Sequence, residues 1–220
     1  AIKGALWYQG EANTAKPGEY RSLMETLVAD WRKQWGQGDF PFLYAQLPGF
    51  MGEKDKPTES SWASLRQQQL NLLAVPATRM AVTIDLGEWN DIHPLNKQDV
   101  GKRLALQAQS LMYGNKTIVT SGPIFKSIKK EGNKLEISFS NVGSGLVAKG
   151  DKNVEYFEVA GADRKFIWAK AKIVNNKVLV WADGIANPLY IRYAWADNPA
   201  KANLYNKENL PASPFEASVN

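Results

Sequence analysis

Asp91 and His93 stand two residues apart in Glu88-Trp89-Asn90-Asp91-Ile92-His93-Pro94, and His93 is the only histidine in the chain. A carboxylate this close to an imidazole can fix the ring's tautomer and stabilise the imidazolium that forms when it accepts a proton, which is a general-base arrangement. Standing alone, a single histidine reads as a surface or hydrogen-bonded structural residue. A second segment changes that reading. Residues 2–8 form a short apolar run with the pattern of a buried strand, followed at once by Gln9-Gly10-Glu11-Ala12-Asn13. Open α/β sheets place their chemistry in loops at the carboxyl edge of parallel strands, and this loop offers a side-chain amide, a glycine N–H and a second carboxylate, parts from which an oxyanion hole can be built. By itself the tripeptide Gln-Gly-Glu reads as a polar strand-to-helix connection with Gly10 in a tight turn.

The two segments meet only if the intervening elements bring them to one sheet edge. The first half alternates: strand 2–8, helix near 18–35, strand 41–47, helix near 59–74, strand 79–86, helix near 97–113. In the first helix Tyr20, Leu23, Met24, Leu27, Val28, Trp31 and Trp35 recur at helical spacing and predict one broad apolar face. In the third, Asn96 is placed to cap with Asp99 at the third helical position, Val100, Leu104, Ala108 and Leu111 form the buried stripe, and Gly114-Asn115 ends it. Such alternation implies parallel strands joined by right-handed crossovers, so Gln9 and Asp91 should both emerge at the carboxyl edge. The long loop 48–57 reaches the same edge, suited to lining a cleft or to standing as an ordinary mobile surface loop.

After Gly114 the pattern becomes that of short strands, at 118–120, 124–130, 134–140, 154–159, 166–174, 177–182 and 189–195, with Asn175-Asn176 as the clearest hairpin turn. These predict a separate antiparallel β-sandwich with an irregular tail at 196–220. Trp168, Trp181 and Trp195 lie in this half; they can stack on sugar rings, but strand aromatics more often build the core, which is the expectation here.

Several ordered blocks make the chain recognisable: Trp7-Tyr8-Gln9-Gly10-Glu11-Ala12-Asn13, Asp30-Trp31-Arg32, Gln46-Leu47-Pro48, Trp62-Ala63 with Arg66, Asp91-Ile92-His93-Pro94, Val100-Gly101-Lys102-Arg103-Leu104-Ala105 and Leu210-Pro211-Ala212-Ser213-Pro214-Phe215. It resembles the sialate O-acetylesterase family, a branch of the SGNH hydrolases. The resemblance implies an α/β fold, with a partial SGNH-hydrolase, flavodoxin-like parallel sheet over 1–117 and the β-sandwich domain with its tail over 118–220. The family's nucleophilic serine sits in a Gly-Gln-Ser-Asn type motif upstream of the Trp-Tyr-Gln-Gly-Glu block, and no such motif occurs in this sequence. Ser144, in Gly143-Ser144-Gly145, lacks the strand-turn-helix context of a nucleophile elbow and reads as a turn. The chain thus reads as the carboxyl-terminal portion of a longer enzyme, inactive without its amino-terminal segment.

The chemistry implied by the resemblance is removal of O-acetyl groups from a sugar, sialic acid in particular, through an acyl-enzyme. His93 is the base, and Gln9, Gly10 and Asn13 are candidate oxyanion donors. Either Asp91 or Glu11 orients the imidazole. SGNH enzymes commonly place Asp three residues before His, and Asn90 occupies that position; Asp91 is preferred to Glu11 because its distance from His93 is fixed locally. An acetylxylan-type substrate and a non-catalytic carbohydrate-binding or assembly module are the alternatives, and the family implies a periplasmic or secreted setting.

Composition narrows the rest. The 220 residues, 44% hydrophobic, can bury a substantial core. The net charge of +5 arises from 27 basic residues interspersed among 22 acidic ones, with no long basic run, so nucleic acid is not an expected partner. The segment 126–130 reads as a solvated strand edge. No apolar stretch is long enough to span a bilayer. With one histidine and no cysteine a zinc site would need a carboxylate-dominated shell, so neither metal nor cofactor is expected.

Overall fold

A computed structural model describes residues 1–151 and 153–219. Three strands, β1 (Ala5–Trp7), β2 (Phe42–Ala45) and β3 (Thr78–Ala81), pair in parallel in the order β1-β2-β3. All of β2 is buried, and the two-residue period of a strand sorts its side chains: Phe42 and Tyr44 join Met80 in one cluster, while Leu43 and Ala45 join Ala81 in another. Helices α1 (Tyr20–Trp35) and α2 (Ser61–Asn71) cover the first face with Tyr20, Met24, Val28, Trp62 and Leu65. Helix α3 (Lys97–Leu111) covers the second with Val100 and Leu104. The central strand β2 is thereby covered on both faces, as a parallel sheet requires. The cover thins at β1, where Leu6 is 65% exposed on an edge strand.

Caps set the helix ends. Asn96 Oδ1 accepts from the Asp99 amide at 3.1 Å and Ser60 Oγ from the Ala63 amide at 2.9 Å, each satisfying an otherwise orphan N–H. The apolar face expected of α1 is narrower than its periodicity suggests, because Leu23 and Trp35 are exposed while Tyr20, Met24 and Val28 are buried.

The second half forms an antiparallel, sandwich-like pair of sheets. One contains β4 (Ile124–Glu131), β5 (Lys134–Ser140), β10 (Lys177–Trp181) and β9 (Lys170–Val174) in the order β4-β5-β10-β9. The other contains β13 (Phe215–Ser218), β11 (Tyr190–Tyr193), β7 (Phe157–Ala160) and β8 (Ile167–Trp168) in the order β13-β11-β7-β8. A two-stranded ribbon pairs β12 (Leu204–Asn206) with β6 (Leu146–Ala148). Leu135, Ile137, Val178 and Val180 face Phe157, Val159, Ile191, Tyr193 and Phe215 across the core. Asn175 and Asn176 adopt φ of 50° and 60°, the left-handed pair that a two-residue hairpin needs.

Several strand expectations are corrected. The run 166–174 is two strands in different sheets, broken at Ala169, whose amide donates to Phe157 O. No strand forms at 118–120, and the tail is not irregular, since Leu204–Asn206 and Phe215–Ser218 are both paired. Trp195 is buried as expected and Trp181 half-buried, but Trp168 lies on an edge strand, 39% exposed. Among the described residues no helix is long and apolar enough to cross a membrane.

The two sets of sheets share no strand, yet polar contacts tie them closely. Arg66 on α2 is fully buried and donates to four main-chain carbonyls: Leu47 and Pro48 after β2, Ala196 and Asp197 after β11, at 2.6–2.8 Å. Burial pulls its pKa down to about 9, the charge of Asp197 acting in the opposite direction. Gln46 Nε2 donates to Ser213 Oγ at 2.9 Å, and Arg192 binds Glu59 through two nitrogens at 2.9 and 3.0 Å.

Candidate active site

The carboxyl ends of β1, β2 and β3 open on the same edge because the strands are parallel. From β1 the chain runs directly into Gln9, Gly10 and a 3-10 turn over Glu11–Asn13. The carbonyl of Gln9 accepts from Tyr20 Oη at 2.9 Å and more weakly from Gln69 Nε2 at 3.4 Å, and Gln69 Oε1 accepts from the Leu47 amide at 2.8 Å. Gln69 has no solvent exposure, so it is a polar brace buried between the loops that follow β1 and β2. Gly10 is buried against α2, where a Cβ would lie 2.9 Å from Leu65 Cδ2. A side chain at this position would have to displace Leu65.

From β3 the chain passes through buried Val82, Thr83 and Ile84 before the segment that bears Asp91 and His93. At Gly87 it crosses the loop after β2 so closely that a Cβ would stand inside contact distance of the Gly49 carbonyl. The crossing is reinforced by the Met51 amide donating to Trp89 O at 2.9 Å. Within the segment Glu88 Oε1 accepts from the Leu95 amide at 2.9 Å, closing the turn around Asp91.

Gln9, Glu11 and His93 come together: with Tyr8, Ala12, Ile92 and Lys97 they line one cleft of about 360 Å3, and Gly10, Asn13 and Asp91 are not among its lining residues. Gln9 Nε2 donates to Asn13 Oδ1 at 2.6 Å, so Asn13 orients the amide of Gln9. Asp91 Oδ1 accepts from the His93 backbone amide at 2.7 Å and lies 3.8 Å from His93 Nδ1, beyond hydrogen-bond range for the ring. The imidazole is 88% exposed. Ser144 is elsewhere, in a turn after β5, with its amide donating to Glu208 at 2.9 Å and its hydroxyl bound to the same carboxylate.

Three cleft or bracing residues escape a reading of the sequence. Tyr8 is hidden as the last residue of an apolar run; its hydroxyl is pushed up to about 12 by burial and then by Glu11, so it stays protonated. Lys97 sits at the start of α3 with its ammonium 5.1 Å from the centre of the Tyr8 ring. Gln69 follows Leu65 by four residues and precedes Leu72 by three, so its place on the buried stripe of α2 was available as a signal.

A cleft with an imidazole, a carboxylate and a positioned amide can take a proton from a nucleophile and donate hydrogen bonds to a developing oxyanion. Residues 1–110 match the family model described as carbohydrate esterase, sialic acid-specific acetylesterase. The chain is 30% identical to sialate O-acetylesterase of Pongo abelii and 29% identical to that of Homo sapiens, in each case over 99% of this chain and 46% of the relative. It is also similar to the crystal structure of a carbohydrate acetylesterase from Xanthomonas citri, with 43% identity and a TM-score of 0.93 over 100% of this chain and 51% of that one. The chain thus spans about half the length of the proteins it matches.

Proposed function

The chain belongs to the sialic acid-specific acetylesterase family of carbohydrate esterases, and from that premise we propose that it supplies the base and oxyanion-binding half of an active site that removes O-acetyl groups from sialic acid or a related sugar. The observation that supports this most directly is the meeting of Gln9, Glu11 and His93 in one cleft at the carboxyl edge of the sheet. A serine from sequence preceding Ala1 attacks the acetyl carbonyl, His93 takes its proton, and the tetrahedral oxyanion is held by the Gln9 amide and the Gly10 N–H, with Asn13 orienting Gln9 or donating itself. The sugar hydroxyl leaves with the proton from His93. Water, deprotonated by the same imidazole, then releases acetate and restores the serine.

Asp91, already bonded to the His93 amide, is the preferred orienting acid, and Glu11 in the cleft is the alternative. The test is hydrolysis of 9-O-acetylated sialic acid by a protein containing this chain and its upstream sequence. Turnover that His93→Ala reduces by several orders of magnitude supports the reading. Turnover unaffected by that change removes it, and turnover confined to acetylated xylan would move the substrate while keeping the chemistry.

A further inference from the structure

Trp168 breaks the rule that strand aromatics fill a sandwich core, because it is 39% exposed and lines a surface cleft. Leaving an indole exposed forgoes hydrophobic stabilisation, yet this side chain is held in a fixed orientation. Its Nε1 donates to the Asp55 carbonyl at 3.0 Å, and Tyr156 meets it edge-on with ring centres 5.2 Å apart at 73°. The ring opens on a cleft of about 370 Å3 whose rim carries Glu53, Asp55 and Glu155, with Lys54 and Lys201 beside them. Lys201 already pairs with Glu53 at 3.5 Å. This cleft shares no lining residue with the one that holds His93.

We propose that this cleft is a saccharide-binding subsite, in which an uncharged pyranose stacks on the exposed face of Trp168 and donates its hydroxyls to the carboxylates of Glu53, Asp55 and Glu155. A pyranose has an apolar C–H face bordered by hydroxyl donors, and the cleft presents the complement: a flat apolar surface bordered by groups that, when ionised, only accept. The carboxylates outnumber the ammonium groups, so a sugar bearing its own carboxylate is disfavoured. Burial, and after it the charges of Glu53, Glu158 and Asp55, raise the Tyr156 hydroxyl to about 12, which leaves the edge-on support of Trp168 neutral. Because the indole is held before any ligand arrives, little conformational freedom is lost on binding.

The inference stands on Trp168 and its rim and is independent of esterase activity. The experiment is a saturation-transfer NMR titration of the 220-residue chain with lactose and with xylotetraose, and N-acetylneuraminic acid as the charged comparison. Saturable transfer to the ring C–H protons of at least one uncharged sugar is expected, with weaker binding of N-acetylneuraminic acid. Trp168→Ala should weaken it by about tenfold or more and Glu155→Ala by about threefold. Trp168→Phe, which keeps an aromatic face and loses the bond to Asp55, should stay within about threefold of wild type. Absence of saturable transfer from both uncharged sugars would overturn the proposal. So would equal losses in Trp168→Phe and Trp168→Ala, which would make Trp168 a brace for the loop, or binding of N-acetylneuraminic acid that is tighter than that of either uncharged sugar and is lost in Trp168→Ala.

Discussion

Asp91 Oδ1 lies 2.7 Å from the backbone nitrogen of His93 and 3.8 Å from Nδ1 of its ring. The carboxylate therefore builds the turn that presents the imidazole, and must come closer by about 1 Å to bond the ring itself. Bonds of this kind are often long in an empty site and tighten when substrate arrives.

On the mechanism proposed above, in a protein that also contains an upstream serine segment, His93→Ala is expected to lower kcat by roughly ten-thousandfold or more, since the imidazole would act in both half-reactions. Asp91→Asn should lose a comparable share if Asp91 orients the ring, with KM nearly unchanged; if Glu11 does so, Glu11→Gln takes that loss and Asp91→Asn is mild. Steady-state kinetics of the three variants separates the cases. Near-normal rates for both acid variants would leave a Ser-His dyad.

Gln69→Leu should destabilise the protein by about 1–3 kcal/mol, because the buried Leu47 amide loses its acceptor. For a chain of this size that is a fall in Tm of roughly 2–12 °C, readable by calorimetry. The loop bearing Gln9 loosens as well, so binding of substrate should weaken along with folding.

Arg66→Met should cost about 3–5 kcal/mol, since four carbonyls lose their donor at once. We propose that the halves on either side of residue 117 are distinct domains, held by this contact together with the Gln46–Ser213 and Arg192–Glu59 contacts. Proteolytic cleavage between 114 and 120 is then expected to leave two pieces that co-elute in size-exclusion chromatography, and the same cleavage in Arg66→Met should let them separate at a lower denaturant concentration than in the wild type.

Glu158 offers a pH test. Its carboxyl is fully buried beside Arg192 on the neighbouring strand, neither oxygen has a hydrogen-bond partner among the described residues, and burial raises its pKa to about 8 against a partial opposing pull from Arg192. The unfolded chain gives up this proton near 4.5 and the folded one near 8, so the unfolded state binds fewer protons in that window and stability falls as pH rises through it. Melting curves from pH 5 to 8.5 should show the wild type losing on the order of a few kcal/mol relative to Glu158→Gln. Parallel curves would mean that Glu158 is ionised in the folded protein and satisfied by Arg192.

Strand-helix alternation in the first half was legible, and with it the meeting of the loops bearing Gln9 and His93, because buried parallel strands and amphipathic helices leave strong patterns. Helix α2 was legible as an element but not in its inner workings: Arg66 and Gln69 are polar residues on its buried side, and hydropathy assigns such residues to solvent. The strands at Leu204–Asn206 and Phe215–Ser218 carry little pattern of their own and exist through pairing with distant partners. Trp168 was misplaced for a related reason, since sequence shows that an aromatic lies in a strand but not that the strand is an edge.

The Arg66 contact also bears on how members of this family can be recombined. Two of its acceptors follow β2 and two follow β11, so a chimera that exchanges the sandwich at a single point near residue 117 takes Ala196 and Asp197 from one parent and Arg66, Leu47 and Pro48 from the other. Parents that differ in backbone course at either pair will misplace the guanidinium and, through α2, Gln69 and the Gln9 loop. Viable crossovers must therefore be chosen by which carbonyls surround Arg66 in space, and the donor sandwich must bring its own segment 46–48 with it.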